Sequence, residues 1–243
     1  MDHPSGTAYP EPARLLDAAR ALPPARVSSF VLDGQVFWVK RPETLPPRMR
    51  FQKGDSAASF GRELALLRGF SQRGAPVPPV LVDDTGLVVM PDMGEPLAGL
   101  VLRVEPAQAA TVLAQAAHGL ATMHRTGLVH GRPSLRDLCW NGAQVTFLDL
   151  EAGARIDAGE WRQARDLVLL LHSVMRIAPD KTPLVQATLD GYRQHGAASV
   201  IGKARRFARV LAPVLVPFAR FAPPPKGKLG EVAALLHLVL FLR

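Results

Sequence analysis

The stretch LVHGRPSLRDLCW, residues 128–140, sets two short apolar segments around a polar loop that opens on His130-Gly131. Asn141-Gly142, a hairpin turn signal, follows, and then VTFLDLE, residues 145–151. Asp137 and Asp149 therefore lie beside two strands joined by a tight turn, and a hairpin of this length brings them close together. Two hard carboxylates beside open space suit Mg²⁺, which takes one or two such ligands and completes its shell with water and phosphate. Glu151 stands two residues beyond Asp149 and points to the same side of an extended chain. The competing reading makes both aspartates ordinary strand-end turn formers.

Outward from this hairpin the pattern changes character. Residues 106–125 carry Val112, Leu113, Ala116, Leu120 and Met123 at helical spacing, and from Trp161 onward the periodicity is helical throughout. Upstream, residues 11–22 predict a short helix with Pro12 in its first turn. VSSFVLDGQVFWVK, residues 27–40, predicts two strands joined at Asp33-Gly34. A proline-rich loop covers 42–54, and Asp55-Ser56 offers an N-cap for a helix reaching about Arg73. VPPVLVDDTGLVVM, residues 77–90, predicts a second hairpin, and Pro91 to Gly99 a connector. The fold class is α+β, with a strand-rich region at 27–92, a mainly helical region at 93–243 and an N-terminal extension over 1–26.

Two residues of the strand-rich region stand out. Lys40 ends an apolar strand, and Glu63 sits at the edge of a helix's apolar stripe, where a carboxylate needs a partner or an exposed position. A strand lysine paired with a helix glutamate is one way to hold nucleotide phosphates. The alternative is a solvated residue at each position.

HGRPSLRDLCW, VTFLDLE and ARDLVLLL, in this order, resemble the core of the protein-kinase-like superfamily. The nearest styles are the lipopolysaccharide core sugar kinases, the RIO-type and KEOPS-complex kinases, and the aminoglycoside and choline phosphotransferases. The resemblance spans about residues 27–195 and implies a two-lobed fold using ATP and Mg²⁺. In these families the loop reads His-Gly-Asp with an Asn five residues after the Asp. Here His130 and Gly131 fit, Arg132 replaces the catalytic Asp, and Asp137 replaces the metal-binding Asn. Asp149 matches the metal Asp, with Glu151 in an Asp-x-Glu form. Asp166 matches a helix aspartate that braces the loop, and His130 reads as structural. Lys40 and Glu63 match the phosphate-anchoring pair. LVVMPDMGEPL, with Met90, Asp92 and Met93, resembles the hinge that binds adenine.

Two departures matter. A guanidinium stays protonated, so Arg132 cannot act as a general base. It could contact the γ-phosphate or acceptor while Asp137 or Glu151 positions the hydroxyl, or it could pair with these carboxylates and block the metal. The second departure is the lack of a glycine-rich turn before Lys40, where Gly34 stands alone. The implied function is phosphotransfer to a hydroxyl of a cell-envelope saccharide, lipid or protein; the alternative is a pseudokinase that binds nucleotide or scaffolds a partner.

Composition bounds the setting. Cys139 is the sole cysteine, which excludes an internal disulfide and suits a reducing compartment. The N-terminus has no apolar core of a signal peptide. A cytoplasmic location is expected, including the inner face of the membrane. The net charge of +8 is concentrated at the end of the chain: from Lys203 to Arg243 eight Lys/Arg stand against Glu231 alone, or +7. Such a tail calls for an anionic or phosphorylated acceptor. Residues 200–215 form a basic amphipathic helix, disrupted near Pro213 and Pro217. It reads either as a membrane-surface element or as a packed helix with a solvated basic face. The final run, LGEVAALLHLVLFLR, is too short to span a bilayer and reads as a closing core helix. Aromatic content of 6% gives no base-stacking surface, so no nucleic-acid partner is expected.

Overall fold

The structure is a computed structural model, and it describes residues 8–43, 56–150, 153–178, 182–217 and 227–243. Glu151, Asp55 and most of the proline-rich loop lie outside these. The chain divides into two compact units: residues 1–68 with 78–92, and residues 69–77 with 93–243.

The first unit holds a four-stranded antiparallel sheet in the order β1-β2-β4-β3. Its strands are β1 (Val27–Leu32), β2 (Gln35–Lys40), β3 (Val82–Asp84) and β4 (Leu87–Pro91). The β1–β2 turn places Asp33 at φ 50 and Gly34 at φ 76, the paired left-handed residues of a two-residue hairpin loop. Alternation along β2 sends Phe37 and Val39 to one face and Trp38 and Lys40 to the other. Phe37 and Val39 pack with Leu15 and Ala19 of helix α1 (Pro12–Arg20), so α1 is part of this core rather than an appendage. Helix α2 (Ser56–Gln72) meets the opposite face of the sheet through Glu63, and the chain passes to the second unit within its last turn.

The expected strand over 77–81 does not form. Pro78 and Pro79 lack the N–H groups a ladder needs, and pairing starts at Val82.

The second unit is mainly helical. The expected connector from Pro91 to Gly99 instead contains a strand, β5 (Glu95–Pro96), and the start of helix α3 (Leu97–Arg103). Leu97, Leu100 and Val101 are buried, and their spacing was the helical signal in this short segment. β5 joins β6 (Leu138–Trp140) and β7 (Val145–Phe147) in a small antiparallel sheet ordered β5-β6-β7. The apolar segment at 128–130 forms only a single bridge, between Val129 and Arg155. Helix α4 (Pro106–Arg125) starts with Pro106 in its first turn and buries Val112, Leu113, Leu120 and Met123. Helices α5 (Glu160–Ile177), α6 (Thr182–His195), α7 (Ala198–Leu215) and α8 (Gly227–Leu242) follow.

Helix α7 runs through Pro213 rather than breaking there. Pro213 is exposed and lies in the last turn of the helix, where its missing N–H removes one hydrogen bond without ending the helix. Helix α8 buries Ala233, Ala234, Leu236, Leu238, Val239 and Leu242. Among the described residues no helix is long and apolar enough to cross a membrane.

Candidate functional site

In the first unit, Lys40 Nζ donates to Glu63 Oε1, and both side chains are largely buried. The pair joins the central strand β2 to α2 across 23 residues of sequence. A buried lysine without a carboxylate would bear the full cost of desolvation, so each residue makes the other's position tenable. Met90 pairs with Trp38 across the ladder. The Asp92 amide donates to the Val36 carbonyl at 3.0 Å, and its carboxylate accepts from Trp38 Nε1 at 2.8 Å. That amide is therefore committed to the sheet.

In the second unit, the loop after Val129 is held by backbone hydrogen bonds to one buried carboxylate. Asp166, on α5 and 1% exposed, accepts from the His130 N–H at 2.6 Å and the Gly131 N–H at 3.0 Å. Arg165 Nη1 donates to the Gly131 carbonyl at 3.2 Å. Gly131 has φ 92, and a Cβ there would come within 2.4 Å of the Gly153 carbonyl carbon, so the loop lies backbone against backbone. The His130 ring is buried, and its Nε2–H donates to the Leu148 carbonyl at 2.7 Å. Burial pushes its pKa below the ordinary histidine value, against the opposing pull of that hydrogen bond and of Asp166, Asp137 and Asp149. The ring ties the loop to the end of β7.

Asp137 and Asp149 flank the β6–β7 hairpin. The Leu148 N–H donates to the Asp137 carbonyl at 2.7 Å, which ties their backbones together. Burial, followed by the nearby charge of Asp149, raises the Asp137 pKa above the ordinary carboxylate value. Asp149 has φ 57, a left-handed conformation that costs a non-glycine residue energy and is tolerated best by Asp and Asn. Arg132 Nη2 donates to Asp149 Oδ2 at 3.2 Å, and the Arg132 side chain is 59% exposed. An ion pair this exposed contributes about 0–1 kcal/mol, so a dication or a phosphate can displace it. Among the described residues no group of three His, Cys, Asp or Glu could hold a metal. Two carboxylates suit a Mg²⁺ that arrives with a nucleotide better than a resident metal.

Sequence reasoning gave His124 no role. The fold buries it beside Asp166, at 3.5 Å from Oδ2, with Nδ1 at 2.7 Å from the Tyr192 hydroxyl. Gln163 Nε2 donates to the His124 carbonyl at 2.9 Å. These residues come from α4, α5 and α6, and no local spacing signals their meeting.

No family model matches the chain. An uncharacterized protein of Haemophilus influenzae is 28% identical over 203 residues, covering 81% of this chain and 84% of that protein. A probable bifunctional tRNA threonylcarbamoyladenosine biosynthesis protein of Haloquadratum walsbyi is 28% identical over 182 residues, covering 74% of this chain. The match takes in 32% of that second protein, so this chain spans about a third of its length. Both similarities are distant, and the second is partial.

Proposed function

We propose that the protein is an ATP- and Mg²⁺-dependent phosphotransferase acting on a hydroxyl of a cell-envelope saccharide, a lipid or a protein. The Lys40–Glu63 ion pair carries this reading. A lysine held on a central strand by a helix glutamate is placed to neutralise nucleotide phosphates, and phosphoryl transfer depends mainly on positioning and charge. The partial likeness to a tRNA threonylcarbamoyladenosine biosynthesis protein supports the KEOPS-type side of the resemblance.

Asp137 and Asp149 would hold Mg²⁺, which would supply positive charge to the phosphate oxygens. In the transfer, the acceptor oxygen bonds to the γ-phosphorus and the bridging bond to the β-phosphate breaks. The acceptor's proton passes to solvent. Arg132 would contact the γ-phosphate or the acceptor as a fixed cation. The Asp166 brace would keep the His130–Arg132 segment in place.

The Arg132–Asp149 ion pair favours a second reading, a pseudokinase whose carboxylate is already neutralised. Two measurements separate the readings. Labelled ATP is offered with envelope extract and protein acceptors, and transfer is expected above an Asp149→Ala control; equal signals refute the enzyme. Arg132→Asp is expected to lower activity if Arg132 works in the site. Activity created by that change, where the natural chain has none, assigns the pseudokinase role.

A further inference from the structure

The outer face of α7 carries a second apolar stripe that the core does not use. Val200, Ile201, Ala204, Ala208 and Ala212 are buried inward. On another side of the helix stand Phe207, Val210 and Val214, spaced i, i+3 and i+7, and Val210 and Val214 are 68% and 64% exposed. The stripe continues into an apolar groove of about 550 Å³ lined by Trp161, Val168, Phe207, Val232 and Leu235 from α5, α7 and α8. Isolated exposed apolar residues are ordinary, but a stripe continuous with a groove is not.

The surroundings of this patch are cationic. Lys203 and Arg206 each lie 5.9 Å from the Trp161 ring centre. Helix α7 carries no acid, and among the described residues no carboxylate pairs with Arg205, Arg206 or Arg209. The nearby acids are already matched: Glu160 by Lys203 at 2.5 Å, and Glu231 by Arg176 at 2.6 Å. A Trp and aliphatic side chains set among unpaired arginines have the make-up of an interfacial helix.

We infer that the α7 face, with the Trp161 groove, docks onto an anionic phospholipid bilayer, lying in the interface without crossing it. Charge complementarity selects this occupant. A second copy of the chain would bring the same unpaired cations against these, since a two-fold contact pairs like patches. A nucleic acid would meet the arginines, but it would leave Val210 and Val214 against phosphate and sugar, where an acyl region takes them up. The inference stands whether or not the chain transfers phosphate.

Flotation with vesicles tests it. One set is phosphatidylcholine alone; in the other, phosphatidylglycerol replaces about a third of it. The full chain is expected to bind the anionic set, more weakly as salt rises, and to leave the neutral set unbound. Each surface arginine is worth about five-fold in partitioning, so Arg206→Glu with Arg209→Glu is expected to lower binding by at least about 25-fold. Val210→Ser with Val214→Ser, at sites too exposed to matter for folding, is expected to lower it several-fold with an unchanged melting midpoint. If the charge-reversed chain fails to fold, this serine pair carries the test. Equal binding to both vesicle sets, anionic binding that neither pair alters, or no vesicle binding would overturn the inference. So would retention of tRNA, or a dimer by light scattering, in a chain that ignores vesicles.

Discussion

Replacing Asp166 by alanine is expected to destabilise the second unit by an amount the geometry sets. The carboxylate is 1% exposed and accepts from two backbone donors, His130 N–H at 2.6 Å and Gly131 N–H at 3.0 Å. Hydrogen bonds to a charged group contribute about 1.5–3 kcal/mol each, and a buried donor left without a partner costs about 1–3 kcal/mol. Removing the charge also ends its own desolvation penalty, so the net loss is about 3–5 kcal/mol. That is a large share of the roughly 5–15 kcal/mol that keeps a domain folded. Urea unfolding followed by circular dichroism reads the loss as a lower midpoint at constant slope. Hydrogen exchange of a peptide spanning 128–140 reads it locally, since the His130 and Gly131 amides lose protection. Asp166→Asn keeps one acceptor oxygen without the charge and should fall between alanine and the natural chain. Arg132→Ala is the control: its side chain is exposed and its ion pair with Asp149 contributes about 0–1 kcal/mol, so the change should stay within about 1 kcal/mol. A loss below about 1 kcal/mol for Asp166→Ala, with exchange at His130 and Gly131 unchanged, refutes the bracing role.

Gly131→Ala should cost at least about 3 kcal/mol, because a Cβ at φ 92 meets the Gly153 backbone; a urea midpoint near that of the natural chain would contradict this. The His118 and His195 rings stack with centroids 3.7 Å apart. Partial burial, then the charges of His195 and Arg125, lowers the His118 pKa below 6.5. Between that lowered value and 6.5 the unfolded chain binds more protons than the native one, so this part of stability is present above 6.5 and lost as pH falls. His118→Asn is expected to flatten the melting temperature against pH in that window, and an unchanged slope would exclude the effect.

Much of the fold was legible because local chemistry and the final structure agree. The α4 stripe and the Asp33-Gly34 turn each satisfy a local rule that packing then used unchanged. The misses have equally local causes. Pro78 and Pro79 withheld ladder donors, and the short α3 helix was obscured by Pro91, Gly94 and Pro96 around it.

The sequence alone determined the α+β order, the apolar strands that set Asp137 beside Asp149, and the positive charge gathered at the C-terminal end. These follow from side-chain periodicity and covalent neighbourhood. Only the tertiary structure decided that Lys40 bonds Glu63, that Asp166 holds the amides of His130 and Gly131, and that Arg132 turns to Asp149. It alone also aligned Phe207, Val210 and Val214 with the Trp161 groove. Each of these joins residues far apart in sequence, or picks one rotamer among several. Such choices depend on which surfaces the fold buries and which charges it leaves to find partners.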